Sequence, residues 1–260
     1  MSNRSQIKNI ITEIKDKKLS LERLSGLFSN FEIVVIACGP SLKKENFSYI
    51  KKFCEDKLVI CIKQSKLYMN ELCDIHINNF CNYQNYNNSR DSISCLAWWD
   101  NHQKLAHPES FANADFLFKI DTTNTISYLS SVLNQDGFDN MITINNDDRN
   151  FKGPGIMYEC VFPLINLLGS KKITIFGWDI GNNKNSINHF YDEDYETNSK
   201  IKYKAGSYIG ETDLILQAIP KFSKFFNKRG FFFDIVSDIN PLKSDQTFNK
   251  ITFEKWKVIK

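Results

Sequence analysis

The chain lacks several things that would have assigned it to a class. Residues 1–20 hold no apolar core: Arg4, Lys8, Lys15, Asp16, Lys17 and Lys18 interrupt isolated isoleucines, so no export signal is expected. No run of about 18 apolar residues occurs anywhere, so no membrane-crossing helix is predicted. The seven cysteines are scattered and none forms a C-x-x-C pair, which points to reduced thiols in a cytoplasmic chain rather than a disulfide framework or a zinc site. Cys38, Cys61 and Cys160 sit in apolar runs and read as core. The four histidines show no ligand spacing, and a formal charge of only +3 demands no nucleic-acid partner. There is no internal repeat and no G-x-G-x-x-G.

What is there is alternation. Short apolar, β-branched runs recur at Glu32–Ala37, Leu58–Ile62, Asp74–Ile77, 93–99, Phe116–Ile120, Met141–Ile144, Ile173–Phe176 and Phe231–Val236. Such runs suit strands buried on both faces of a parallel sheet. Helical patterns lie between, at about 41–55, 124–134, 155–169 and 211–229. Pro163 should kink or break the third. The alternation predicts an α/β fold: a single doubly wound, Rossmann-like parallel sheet. Residues 5–29 carry an amphipathic pattern (Ile7, Ile10, Ile11, Ile14, then Leu21, Leu24, Leu27, Phe28) and read as an N-terminal helical extension over 1–30, preceding the main domain at 31–260. The polar stretch at about 181–210 reads as a lid.

Candidate site residues cluster where strands end, the place where open parallel sheets bind ligands. Gly39-Pro40-Ser41 follows the first strand: the glycine permits close backbone approach, and the serine stands near free N–H groups at a helix start. A turn needed only for packing accounts for the same residues. Lys63 and Gln64 follow the second strand, where a lysine suits a phosphate and a solvated loop suits it equally. Asn78 and Asn79 end the third; amides read bases or sugar hydroxyls, and asparagines also favour turns. Gly153 and Gly155 open the 155–169 helix and expose donors to an anion. Asp179, just past the strand at 173–176, suits a sugar hydroxyl or a cation, or a simple turn. In the lid, His189 suits a general base or a phosphate contact, with Tyr191 beside it. Asp192, Glu193 and Asp194 suit a divalent cation or plain solvation. Thr212 or Asp213 suits the N-cap of the last long helix. The C-terminal residues Lys250, Lys255, Trp256, Lys257 and Lys260 form a basic, aromatic tail, suited to solvent or to an anionic membrane surface.

Taken in order, Ile36–Leu42, Gln64, Asn78-Asn79, the Gly155–Gly169 helix, Ile173–Asp179, Tyr208-Ile209-Gly210 and Asn240-Pro241-Leu242 resemble the bacterial, Campylobacter-type sialyltransferases of glycosyltransferase family 42. The resemblance spans about residues 32–242. It implies a GT-A-like sialyltransferase fold with a lid, and inverting, metal-independent transfer of a sialic or related nonulosonic acid from a CMP-activated donor to a glycan acceptor. It implies a cytoplasmic enzyme of surface-glycan or lipooligosaccharide biosynthesis, with peripheral contact at the inner membrane and self-association as further expectations, and no cofactor beyond the donor substrate. Glu211 stands where the family places its catalytic histidine, and the family's phosphate-binding tyrosines have no clean counterparts. The implied catalytic set is therefore His189, Glu211 and Tyr191, with Gly39, Pro40, Ser41, Lys63, Gln64, Asn78, Asn79, Gly153, Gly155, Asp179 and Asn240 around the nucleotide. The chain also resembles, more distantly, a family that includes motility-accessory factors and pterin diphosphokinase-like proteins. Two alternatives follow: a metal-dependent diphosphokinase-like enzyme using Asp179 and residues 192–194, or a nucleotide-binding protein with a decayed site.

Overall fold

A computed structural model describes residues 2–79, 91–99, 114–120, 149–151, 156–180 and 211–260. Nine strands among them form one sheet: β1 (Ile33–Ile36), β2 (Leu58–Ile62), β3 (Ile75–Asn79), β4 (Ile93–Trp99), β5 (Phe116–Ile120), β6 (Arg149–Phe151), β7 (Lys172–Phe176), β8 (Phe232–Val236) and β9 (Phe248–Ile251). Their order is β6-β5-β4-β3-β2-β1-β7-β8-β9, and every pairing is parallel. The chain starts in the middle, walks outward to β6, then returns to the other side of β1. The direction of winding thus reverses between β1 and β7.

The two faces of β1 show why these runs are continuously apolar. Ile33, Val35 and Ala37 enter one core and Val34 and Ile36 the other. The first core is covered by α1 (Asn3–Asp16), α4 (Phe162–Leu168) and α5 (Glu211–Asn227), and the second by α2 (Phe47–Cys54), α3 (Ser65–Met69) and α6 (Phe253–Ile259). This is the doubly wound α/β arrangement that the alternating pattern predicts. Much of the phenylalanine content packs in the first core. Phe162 has ring contacts with Tyr158, Trp178, Phe222, Phe226, Phe233 and Phe248, at centroid distances of 5.3 to 5.9 Å.

Helix α1 lies across the strand starts. Ile7, Ile11 and Ile14 enter the core. Arg4 reaches the buried Asp74 carboxylate at 2.7 Å and Lys8 reaches it at 3.0 Å. Lys8 also donates to Asp91 O, and Lys15 to Ser92 O and Asp115. Three cations on one helix thereby tie the starts of β3, β4 and β5.

Several expectations need correction. Phe231–Val236 does not close the sheet: β9 follows it. The C-terminal segment is no solvated tail, since Phe253 and Trp256 are buried against Phe176. By contrast, the disturbance expected at Pro163 is present, as a change of helix type at Phe162. A π turn at Met157–Val161 widens the backbone ahead of it, and the proline lies in the first turn of α4, which absorbs its missing N–H and ring clash. Thr212 and Asp213 lie inside α5, which starts at Glu211, so neither is its N-cap. The expected helix at 124–134, the strand at 141–144 and the lid at 181–210 lie outside the described residues.

Candidate functional site

The winding reverses between β1 and β7, and open parallel sheets bind ligands in the crevice that such a reversal leaves at the strands' carboxyl ends. Its floor on the β1–β7 side is closed by the protein itself. Beyond the last paired residues, Ala37 N–H still donates to Phe176 O (2.9 Å) and Gly39 N–H to Gly177 O (2.8 Å). The Asp179 carboxylate then bridges three loops. Ser41 donates to it through its backbone N–H (2.7 Å) and its hydroxyl (2.6 Å), and the Ser237 hydroxyl donates to the same oxygen as the Ser41 hydroxyl. Ser237 Oγ also accepts from Asn240 N–H at 2.9 Å.

This staple explains the glycines. A Cβ on Gly39 would overlap Asp179 Oδ2 and lie 2.5 Å from Gly177 O. The space a side chain would need at Gly39 is filled by a carboxylate of this chain. Gly177 has φ +66°, which side chains disfavour. The expectations for Asp179 and Ser41 change accordingly: both carboxylate oxygens of Asp179, and the hydroxyl of Ser41, are engaged within the protein. Asn240 is fully buried. Its amide donates to Trp178 O and accepts from Leu242 N–H (2.8 Å), so it holds loops together rather than facing the crevice. Pro40 is partly buried in the same turn.

The β2–β3 side is different. Lys63, just past β2, has φ +50°, a left-handed conformation that costs a non-glycine residue roughly 1–2 kcal/mol. Its N–H donates to Ile77 O at 2.8 Å, and its carbonyl accepts from His76 Nε2 at 2.9 Å. The neighbours of that bonded pair are Gln64 and Asn78, at 4% and 5% exposure. Gln64 Oε1 and Asn78 Oδ1 are buried and have no hydrogen-bond partner among the described residues. Two orphaned amide oxygens on adjacent strand ends call for a donor from outside. Burial lowers the pKa of Lys66, which lies in the first turn of α3. Burial, and then the Lys66 charge, push His76 down to about 3, so its imidazole is neutral.

Ser65 locks β1 to β2: its hydroxyl accepts from Ile62 N–H (2.9 Å) and reaches Ile36 O (2.7 Å). Three of the buried thiols are held protonated. Burial pushes Cys54 up to about 12 and raises Cys61 and Cys95 well above the ordinary range, so none is a thiolate near neutral pH.

Of the predicted site residues, the structure brings Gly39, Pro40, Ser41, Lys63, Gln64, Asn78 and Asp179 to one end of the sheet. Asn79 belongs to β3 by its backbone and Glu211 opens α5. Gly153, Gly155, His189 and Tyr191 lie outside the described residues. Ser237, Ser65 and His76 were missed from sequence. Ser237 had a signal, a hydroxyl residue placed directly after the strand Phe232–Val236. Comparison of the chain with protein-family models, curated proteins and solved structures finds no match. Among the described residues, no helix is long and apolar enough to cross a membrane.

Proposed function

We propose that the protein is a glycosyltransferase that moves a nonulosonic acid from a CMP-activated donor to a glycan hydroxyl, with inversion and without a metal ion. The observation that carries this reading is the pair of buried amide oxygens on Gln64 and Asn78 that have no partner among the described residues, at the ligand-binding end of a doubly wound sheet. An unmet buried acceptor costs about 1–3 kcal/mol, and a bound ligand that donates to it removes that cost. The amino group of a cytosine and the hydroxyls of a ribose are such donors, and Lys63 beside them suits the phosphate. The resemblance of the strand-end segments to the sialyltransferases favours CMP over other nucleotides.

In this proposal the acceptor hydroxyl loses its proton to Glu211 or His189 while its oxygen bonds to the anomeric carbon. The bond from that carbon to the donor phosphate breaks, and CMP leaves with the electron pair. Lys63, Tyr191, Gly153 and Gly155 stabilise the leaving phosphate.

A thermal-shift series with CMP, CDP, UDP, GDP and ATP, each with and without magnesium, tests the reading. Selective stabilisation by CMP in the absence of metal is expected, because a ligand at about 100 times its Kd contributes about 2.7 kcal/mol. A metal-dependent shift with ATP would move the assignment to a diphosphokinase-like enzyme. CMP binding without turnover of CMP-activated nonulosonic acids would leave a nucleotide-binding protein. Full turnover by both His189→Ala and Glu211→Gln would remove both residues as the base.

A further inference from the structure

We propose that His76 is a positioning residue of this site: by donating Nε2–H to Lys63 O it holds the left-handed turn at Lys63 that sets the Gln64 amide beside Asn78. The inference rests on Gln64 and Asn78 being ligand contacts, but its geometry stands on the fold alone.

Lys63 is one of three non-glycine residues among those described with positive φ, the others being Lys18 and Asn70. Such a conformation persists where the surroundings over-determine it, and here both peptide groups of Lys63 are tied to the neighbouring strand. Its N–H is fixed to Ile77 O (2.8 Å) and its C=O to His76 Nε2 (2.9 Å). A carbonyl can only accept, so the imidazole must carry its proton on Nε2. His76 is 1% exposed in a strand flanked by Ile75 and Ile77, an expensive place for an imidazole unless its polar atoms are used. Lys66 sits close enough to disfavour a second proton on the ring. The strand that supplies this donor supplies Asn78 two residues later, on the same face by the two-residue period of a strand. Gln64 is the residue immediately after the turn. One histidine therefore fixes the relation between the two orphaned oxygens without touching the ligand.

Three substitutions test this. His76→Leu removes the donor, and His76→Gln keeps an amide N–H near the place of Nε2. Lys63→Gly lets the backbone adopt positive φ unaided. The first readout needs no ligand. In NMR spectra of the free protein, the His76 ring nitrogens should show the neutral Nε2–H tautomer. The Gln64 side-chain amide resonance should move in His76→Leu and return in both His76→Gln and Lys63→Gly/His76→Leu. The second readout is CMP affinity by calorimetry, expected to fall about tenfold in His76→Leu, as for one lost hydrogen bond, and to recover in His76→Gln.

A Gln64 resonance unmoved in His76→Leu, or restored by neither rescue, overturns the inference. Absence of CMP binding by the wild-type protein refutes the nucleotide reading, while the resonances still decide the role of His76. If His76→Leu does not fold, Lys63→Gly/His76→Leu decides. Folding with a wild-type Gln64 resonance supports the lock, and failure to fold overturns it, because glycine would then not substitute for the histidine.

Discussion

Gly39→Ala separates two explanations of the Gly-Pro-Ser turn. If the glycine exists to let a ligand approach the backbone, alanine should leave the free protein as stable as before and weaken only binding. The structure predicts otherwise. The new methyl group would overlap Asp179 Oδ2 and lie 2.5 Å from Gly177 O, against ordinary contact distances beyond about 3.4 Å. The carboxylate must withdraw by about 1 Å and the two loops must also part, because Gly177 O belongs to the backbone. The first movement breaks the 2.7 Å bond from Ser41 N–H, a hydrogen bond to a charged group worth about 1.5–3 kcal/mol. The second breaks Gly39 N–H to Gly177 O, worth about 1 kcal/mol. With the remaining bonds of Asp179 strained as well, the expected loss is about 3–4 kcal/mol, a large part of the roughly 5–15 kcal/mol that holds a typical domain.

Urea unfolding of the ligand-free protein measures this directly. Trp178 follows Gly177 and is buried, so its fluorescence reports on the region affected. A double-mutant cycle sharpens the result: in an Asp179→Ala background the clash with the carboxylate is gone and only that with Gly177 O remains, so Gly39→Ala should cost at least about 1 kcal/mol less than it does alone. A midpoint within about 0.5 kcal/mol of wild type for Gly39→Ala, or strict additivity in the cycle, would refute the staple.

Other outcomes follow from the same structure. Gln64→Met and Asn78→Leu each remove an orphaned buried oxygen, so each should raise stability by about 1 kcal/mol while abolishing CMP binding; thermal melts with and without CMP check both, and a loss of stability would mean that the amides hold the fold. His76 titrates in the unfolded chain near 6.5 but only at about 3 in the fold, so the unfolded state binds the extra proton between these values. Its contribution is complete above about pH 6.5 and is lost as the pH falls, by at most about 1.4 kcal/mol per pH unit. Wild type should thus lose about 2 kcal/mol relative to His76→Gln between pH 6.5 and 5 in urea melts, and parallel pH profiles would contradict a neutral buried imidazole. Asp74 is fully buried and accepts from Arg4, Val59 N–H and, by charge, Lys8. Asp74→Ala should cost about 3–5 kcal/mol and speed amide exchange in β3, with unchanged exchange showing that α1 does not clamp the strand starts.

Much of the sheet was legible because burial on both faces demands continuous apolar runs, and Ile33–Ile36, Leu58–Ile62 and Ile173–Phe176 have them. Strand β9 escaped because Phe248–Ile251 places asparagine and lysine between its two buried residues at the sheet's edge. The site was legible in its positions but less so in its logic. Asp179 and Ser41 stand 138 residues apart, and no local pattern reveals that one caps the other. Nor can sequence show that Lys63 has positive φ, since lysine is an unusual residue for it. His76 was passed over because histidine was weighed as a metal ligand or a base, whereas its partner is a backbone carbonyl.

The two sides of the crevice therefore carry different information. At the ends of β1, β7 and β8, the Gly39, Ser41, Asp179, Ser237 and Asn240 contacts form a closed set of hydrogen bonds. A chain could keep all of them and lose any catalytic activity, because they join loops that every function on this fold would need joined. At the ends of β2 and β3, left-handed strain at Lys63 and two oxygens without a partner among the described residues persist, and neither feature helps the chain fold. Local rules broken without a structural gain mark where selection acts on something other than stability. The Gly-Pro-Ser and Gly-x-Asp segments thus testify to the fold, and a claim about what this protein binds must stand on Lys63, Gln64 and Asn78.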